Sequence, residues 1–380
     1  MSQLKIPFFD SDIGEKEIRE VTRVLESRWL TMGEVTKKFE EKFCELTNSK
    51  YAFAVANGTA ALHLATAASG IGPGDEVIVP SFTFAATVNS ILYTGAIPVF
   101  TDITSEDNFN ISPKDIERKI TPRTKAITLV HYGGHPCDMP KIMEIAEKHN
   151  LFVIEDAAHA PGASIDGKSC GTYGLCGCFS FFSNKNLATG EGGMIVTDND
   201  EAADSIKLMR SHGMTTLTLE RHKGHAFSYD VVKLGYNYRI SEIISAIGIV
   251  QLNKLMDKNK KREQFVKLYQ SLLFDIDEIT VPFKQHIGTS SYHIFPVLLK
   301  EGINRTEFIK YLREQGTQVS MHYPPVHQFT YHKQACRQAS NLETTENVAL
   351  REVTLPLYPT MKESNVITVI NQIKKFLTQN

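Results

Sequence analysis

Residues Tyr51–Ala68 read YAFAVANGTAALHLATAA. The run Tyr51–Val55 is apolar and of strand length. It breaks at Asn57-Gly58-Thr59, and Ala60–Ala68 follows, rich in the strong helix formers Ala and Leu. A strand that turns at glycine into a helix is half of a strand–helix–strand unit. The same grammar repeats downstream. After the turn Gly70-Ile-Gly-Pro-Gly74 comes the β-branched run Glu76–Val79, and Ile97–Phe100, Ala126–Val130 and Leu151–Ile154 are further buried-strand candidates. Between them Ser112-Pro113 reads as an N-cap with proline at the first helical position, and Asp138–His149 as a second helix. This alternation predicts an α/β fold with a mostly parallel sheet flanked by helices.

The middle of the chain changes character. Gly162–Gly193 is rich in Gly, Ser and aromatics, with strands predicted at Phe179–Phe182 and Met194–Thr197 around a Gly-rich connection. Asp200–Arg210 reads as a helix. Ser241–Lys258 reads as a long one, with Ser241 as N-cap. The Lys/Arg/Asn-rich stretch Asp257–Arg262 marks a boundary, giving a large domain 1–255 and a small C-terminal α+β domain 256–380. The latter carries strands near Tyr292–Leu299, a helix near Thr306–Gln315 and a terminal amphipathic helix from Glu363.

Composition narrows the function classes. The 380 residues hold 41 Lys plus Arg against 43 Asp plus Glu, a net charge of -2, which argues against a broad nucleic-acid-binding surface. No apolar run reaches the ~18 residues of a membrane span. The first residues, MSQLKIPFFDSDIG, hold no apolar signal core. Six Cys in a chain of this length do not form a disulfide framework. The expectation is a cytoplasmic enzyme.

Three superficial features carry no site. Gly162-Ala-Ser-Ile-Asp-Gly-Lys-Ser169 matches the phosphate-loop pattern, but Cys170–Gly177 is too glycine-rich to begin the helix that pattern needs. Asp166-Gly167 is read as a hairpin turn instead. Cys170, Cys176 and Cys178 lack zinc spacing and read as buried thiols, and His222 and His225 have no accompanying carboxylates, so no metal is assigned.

Three separated elements do point to chemistry. Asn57-Gly58-Thr59-Ala60 sits where helix-start amides face an anion, unless it is a plain glycine turn with Thr59 as N-cap. Glu155-Asp156-Ala-Ala-His159 ends the strand Leu151–Ile154, where open α/β sheets hold ligands; there Asp156 pairs with a cationic ring nitrogen or caps a helix. Lys185 lies between Phe179-Ser180-Phe-Phe and Gly190-Glu-Gly-Gly193. A desolvated lysine has a lowered pKa and serves as an amine nucleophile. An anion cradle, an acid for a pyridinium and an amine are what pyridoxal 5'-phosphate requires.

With these residues in view, Asn57–Ala65, Gly74–Phe84, Glu155–His159, Ser180–Lys185, Gly190–Met194 and Gly235-Tyr-Asn-Tyr-Arg239 resemble the nucleotide-sugar aminotransferases, the DegT-type members of the fold-type I pyridoxal-phosphate enzymes. The resemblance runs from about Ile6 to the C-terminus. It implies Lys185 as the residue that binds the cofactor aldehyde and Asp156 as partner of the ring nitrogen. It implies His159, where relatives often have Gln, beside the ring's phenolic oxygen, and Phe84 stacked on the ring. Gly58, Thr59, Ala60 and Ser180 match phosphate contacts. Asn237 matches a phosphate contact given to the other subunit, implying a homodimer with shared sites; on the residue alone Asn237 reads as a left-handed loop position.

The same resemblance implies transfer of an amino group from glutamate to a keto group of a nucleotide-linked keto-deoxy sugar, C4 before C3. A branch with His in place of the lysine dehydrates its substrate; Lys185 favours transamination, although one lysine-bearing branch also dehydrates. Other readings are a keto-cyclitol aminotransferase and a non-catalytic cofactor-binding regulator. His322 and Tyr323, in Met321–His327, match the sugar-pocket segment, or simply a Pro-fixed connection. Arg221 and Lys223 form either a basic lip for the substrate diphosphate or a solvated loop.

Overall fold

The structure, a computed structural model, describes residues 4–215, 228–336 and 340–379. Seven strands build the main sheet: β1 Tyr51–Val55, β2 Glu76–Pro80, β3 Ile97–Thr101, β4 Thr124–Val130, β5 Phe152–Asp156, β6 Cys176–Ser180 and β7 Gly193–Thr197. Their order is β1-β7-β6-β5-β4-β2-β3. Only β7 runs against its neighbours, pairing antiparallel with both β1 and β6. The other pairings, β6–β5, β5–β4, β4–β2 and β2–β3, are parallel. Central strands such as Val77–Val79 and Ala126–Leu129 are buried, as a sheet covered on both faces demands.

Helix starts follow the local sequence signals. Ser112 caps Pro113–Lys119, Asp138 caps Met139–His149 and Ser241 caps Glu242–Leu273. The helix after β1 begins at Gly58, and its cap is the Asn57 carboxamide rather than Thr59. Asp166 and Gly167 both take positive φ, 49° and 81°, between the short paired strands Ser164–Ile165 and Lys168–Ser169, so the phosphate-loop look-alike is a hairpin.

Three helices differ from the sequence expectation. Helices Glu15–Ser27 and Glu34–Thr47 precede β1. The second buries Phe39 and Phe43 against Phe179 and Phe181 and is tied to the long helix by Glu242. The Glu242 carboxylate accepts from the amides of Gly33, Val35 and Thr36, each at 2.8 Å. The long helix does not stop near Lys258 but runs to Leu273, so the division at residue 255 falls inside one continuous helix. Its second half packs, through Val266, Tyr269 and Leu273, into a separate core with a three-stranded sheet of Ile279–Thr280, Phe295–Leu299 and Glu352–Leu355. Among the described residues no helix is long and apolar enough to cross a membrane.

Candidate active site

The C-terminal ends of the parallel strands converge on a cleft of about 450 Å³. It is lined by Asn57, Gly58 and Thr59 after β1, Thr83 and Phe84 after β2, Asp156 and His159 at and beyond β5, Ser180 at the end of β6, Lys185 from the following loop, and His322 and Tyr323 from the C-terminal region. Residues separated by some 260 positions thus meet where an open α/β sheet holds its ligand.

Asp156 ends the central strand, in register with Val130 on one side and Cys178 on the other. It is buried. Its Oδ2 accepts from Thr87 Oγ1 at 2.8 Å and its Oδ1 from the Ala158 amide at 3.1 Å. Burial pushes this carboxyl above the usual range, while Thr87, Ala158 and the positive charge of Lys185 pull it back. A buried carboxylate served mainly by neutral donors is suited to a cation arriving in the cleft.

Lys185 is held in place by its neighbours. Its amide donates to the Phe182 carbonyl at 2.9 Å. The flanking strands of its loop close through Phe181 N to Gly192 O and Thr189 N to Phe181 O, both 2.8 Å. Asn186 is buried and donates to Asn259 Oδ1 at 2.8 Å and to the Ser291 carbonyl at 2.7 Å. Leu187 is fully buried beside it. The lysine therefore sits on an anchored turn. Burial lowers its amine from 10.5 to about 8, with Asp156 opposing that shift.

The helix Gly58–Ala68 presents its N-terminus to the same cleft. Asn57 Oδ1 accepts from the Ala60 amide at 2.8 Å, so Ala60 is already engaged. Among the described residues the Gly58 and Thr59 amides and the Thr59 hydroxyl have no partner, and they remain as donors to an anion. Glycine is needed at 58 for a steric reason: a Cβ there would lie 2.8 Å from Ser180 Cβ. Ser180 therefore closes the cradle from β6.

His159 is buried, and both of its ring nitrogens are bonded. Its Nδ1 accepts from the Gly133 amide at 3.2 Å, which leaves the proton on Nε2, and Nε2 meets the Tyr323 hydroxyl at 2.9 Å. Burial, with the Lys185 charge adding to it, drives His159 well below its usual value, so the ring is neutral. Phe84, at the start of helix Ala85–Leu92, leaves 61% of its surface exposed at the cleft, a large apolar ring without cover.

Several predicted residues lie elsewhere. Asn237 is exposed, is not in the left-handed region, and does not line the cleft of its own chain. Arg221, Lys223, His222 and His225 lie outside the described residues. Among the described residues no group of three side chains could hold a metal ion.

The motifs hid two further contributors. Glu155, fully buried beside Asp156, accepts from the amides of Gly171 (2.7 Å), Tyr173 (2.6 Å) and Gly174 (2.8 Å), and pairs with His131 Nε2 at 3.0 Å. It fixes the loop leading into β6. His327 does not reach the cleft: its Nδ1 meets Ser81 Oγ at 2.6 Å and its Nε2 meets Glu346 at 3.0 Å, tying the His322–Tyr323 segment to the end of β2.

Residues 11–374 match the model of the DegT/DnrJ/EryC1/StrS aminotransferase family. The chain belongs to this family. The spore coat polysaccharide biosynthesis protein SpsC of Bacillus subtilis is 40% identical over 377 residues, covering 97% of this chain and 96% of that protein. Helicobacter pylori PseC, an aminotransferase involved in the biosynthesis of pseudaminic acid, superposes with a TM-score of 0.92 at 29% identity, covering 98% of this chain and 99% of that one. A Streptococcus pneumoniae protein described as a sugar aminotransferase, solved in its pyridoxal-phosphate form, superposes with a TM-score of 0.90 at 29% identity, covering 97% and 98%. This family member is a fold-type I, pyridoxal-phosphate-dependent sugar aminotransferase. The residues present fit that cofactor: a buried carboxylate, free helix-start donors, an uncovered aromatic ring and a buried amine share one cleft.

Proposed function

We propose that the protein transfers an amino group from glutamate to a keto group of a nucleotide-linked keto-deoxy sugar, at C4 first and C3 next. The observation carrying this reading is the placement of Lys185 and Asp156 in one cleft with the helix-start donors of Gly58 and Thr59. Pyridoxal phosphate, when bound, supplies the electron sink that lets an amino group and a proton move between carbon atoms. Asp156 keeps a proton on the ring nitrogen, Gly58, Thr59 and Ser180 hold the phosphate, and Phe84 covers one ring face. Lys185 Nζ holds the cofactor and acts as the base that moves a proton at the reacting carbon. His159 lies in the phenolic-oxygen position, with its Nε2–H directed to Tyr323. His322 and Tyr323 face the sugar, and Arg221 and Lys223 the diphosphate.

The working unit is a homodimer in this proposal. Asn237 is exposed and away from its own cleft, and the nearby Tyr229, Val231, Val232 and Leu234 each leave more than half of their surface open. Such an apolar run beside Asn237 suits a second copy, whose cleft Asn237 would complete. Residues 1–255 bind the cofactor and 256–380 close over the substrate. Six unpaired cysteines suit a reducing cytoplasm. Keto sugar nucleotides and keto-cyclitols, offered with glutamate and scored by product mass, test the substrate class. Amination of a 4-keto sugar nucleotide is the predicted result, and amination of cyclitols alone would replace it.

A further inference from the structure

Behind the cleft lies a chain of polar groups that cofactor binding does not use. Glu352 opens a strand of the small sheet and is 1% exposed. Its Oε1 meets Thr354 Oγ1 at 2.5 Å, and Thr354 Oγ1 meets His322 Nδ1 at 2.9 Å. Its Oε2 accepts from the His322 amide at 2.9 Å, and Tyr132 donates its hydroxyl to the His322 carbonyl, so the histidine is fixed front and back. His322 lines the cleft, and among the described residues its Nε2 has no hydrogen-bond partner.

We propose that Glu352, Thr354 and His322 form a proton relay ending at His322 Nε2 in the cleft, which lends and recovers the proton needed to release the substrate's ketone oxygen as water. The proposal rests on the amination of a ketone proposed above. Replacing ketone oxygen by nitrogen breaks the C–O bond, and the oxygen leaves as water with two hydrogens that the nitrogen gives up. The first must reach the oxygen before the bond breaks. With Glu352 protonated, its hydrogen lies toward Thr354, the Thr354 hydrogen toward His322 Nδ1, and the imidazole carries its hydrogen on Nε2. Giving that hydrogen to the departing oxygen shifts one hydrogen at each link and leaves a carboxylate. A hydrogen shed by the nitrogen refills the relay in reverse. No imidazolium is needed, because each transfer only exchanges one neutral tautomer for the other.

The surroundings agree. Burial pushes Glu352 up to about 8, so it holds a proton near neutrality, and burial lowers His322 to about 3, which keeps the ring uncharged. The charged and titratable groups facing the relay are Arg305 from helix Arg305–Glu314, Tyr132 and Tyr323, and on the cleft side Lys185, His159 and His293. Arg305 Nη1 is spent on the main-chain carbonyls of Ala349 and Glu352, so it does not take the carboxylate.

The test follows the His322 tautomer by nitrogen NMR, its signal assigned by loss in His322→Gln, from pH 6 to 10. It is paired with single-turnover amine transfer to a keto sugar nucleotide. In the wild type the hydrogen should move from Nε2 to Nδ1 as Glu352 ionises. Thr354→Val should abolish that change and slow transfer roughly 100-fold, the lower end of what acid–base assistance supplies, and Thr354→Ser should restore both. A His322 tautomer constant over this range in the wild type, or Thr354→Val transfer within twofold of wild type, overturns the relay and leaves the aminotransferase reading standing. A wild type that aminates no ketone overturns the substrate reading and the relay with it.

Discussion

The lowering of the Lys185 amine by burial can be tested before any substrate is known. Burial brings it from 10.5 to about 8, against the pull of Asp156. At pH 7 an unperturbed lysine is a free amine in about one molecule in 3,000, and one titrating at 8 in about one in ten, so the cleft raises the reactive fraction roughly 300-fold. The sign is definite: a lowered value means the ammonium is lost at lower pH. Cofactor capture should therefore climb up to about pH 8 and level off above it. The assay mixes cofactor-free protein with pyridoxal phosphate in a stopped-flow instrument and follows visible absorbance from pH 6 to 10. N-acetyl-lysine methylamide serves as the reference amine and removes the cofactor's own titrations. Asp156→Asn, which deletes the charge holding the ammonium, should move the plateau to lower pH. A capture rate that still climbs in parallel with the reference amine at pH 10 would refute the claim that burial controls Lys185.

Three other substitutions follow from the geometry. Gly58→Val places side-chain carbon where a Cβ would sit 2.8 Å from Ser180 Cβ, and should weaken cofactor binding by ~1–3 kcal/mol, read by equilibrium titration; unchanged affinity would remove the cradle argument. Glu155→Ala strands three backbone amides and His131 without their acceptor and should lower unfolding free energy in urea by roughly 3 kcal/mol or more. Phe84→Ala removes an exposed ring, so it should leave stability within ~0.5 kcal/mol while weakening cofactor affinity by the ~0.5–1.5 kcal/mol of an aromatic stack.

The parts of the site that were legible in the sequence are those encoded locally. Strand β1 with its glycine turn, the Asp at the end of β5 and the lysine between aromatic and glycine clusters each carry their signal within a few residues, because strand ends and helix starts are short-range events. What escaped depends on pairs distant in the chain. His159 meets Tyr323 across 164 positions, and His322 meets Thr354 across 32, so neither ring's tautomer can be inferred from its neighbours. Glu155 belongs to a legible motif, yet its partners Gly171, Tyr173 and Gly174 become visible only when the loop folds back. The charged stretch at Asp257–Arg262 suggested a boundary because polar composition usually marks exposure. Lys258, Asn259 and Arg262 are in fact buried, with Asn259 and Arg262 bonded to the carbonyls of Pro161, His293 and Leu357, and the helix continues. The two N-terminal helices are hidden for the converse reason: their anchors lie more than 200 residues away, Glu242 for the second and Gln251 and Lys254, bonded to Glu17, for the first.

The most direct measurement supplies the cofactor-loaded protein with glutamate labelled with nitrogen-15 and a 4-keto-6-deoxy sugar nucleotide, and locates the label by carbon–nitrogen NMR. The proposed function predicts label on C4 of the sugar, with one 2-oxoglutarate formed per amine transferred, and loss of both in Lys185→Ala. Label absent from the sugar while the protein consumes glutamate, or full transfer in Lys185→Ala, would contradict it.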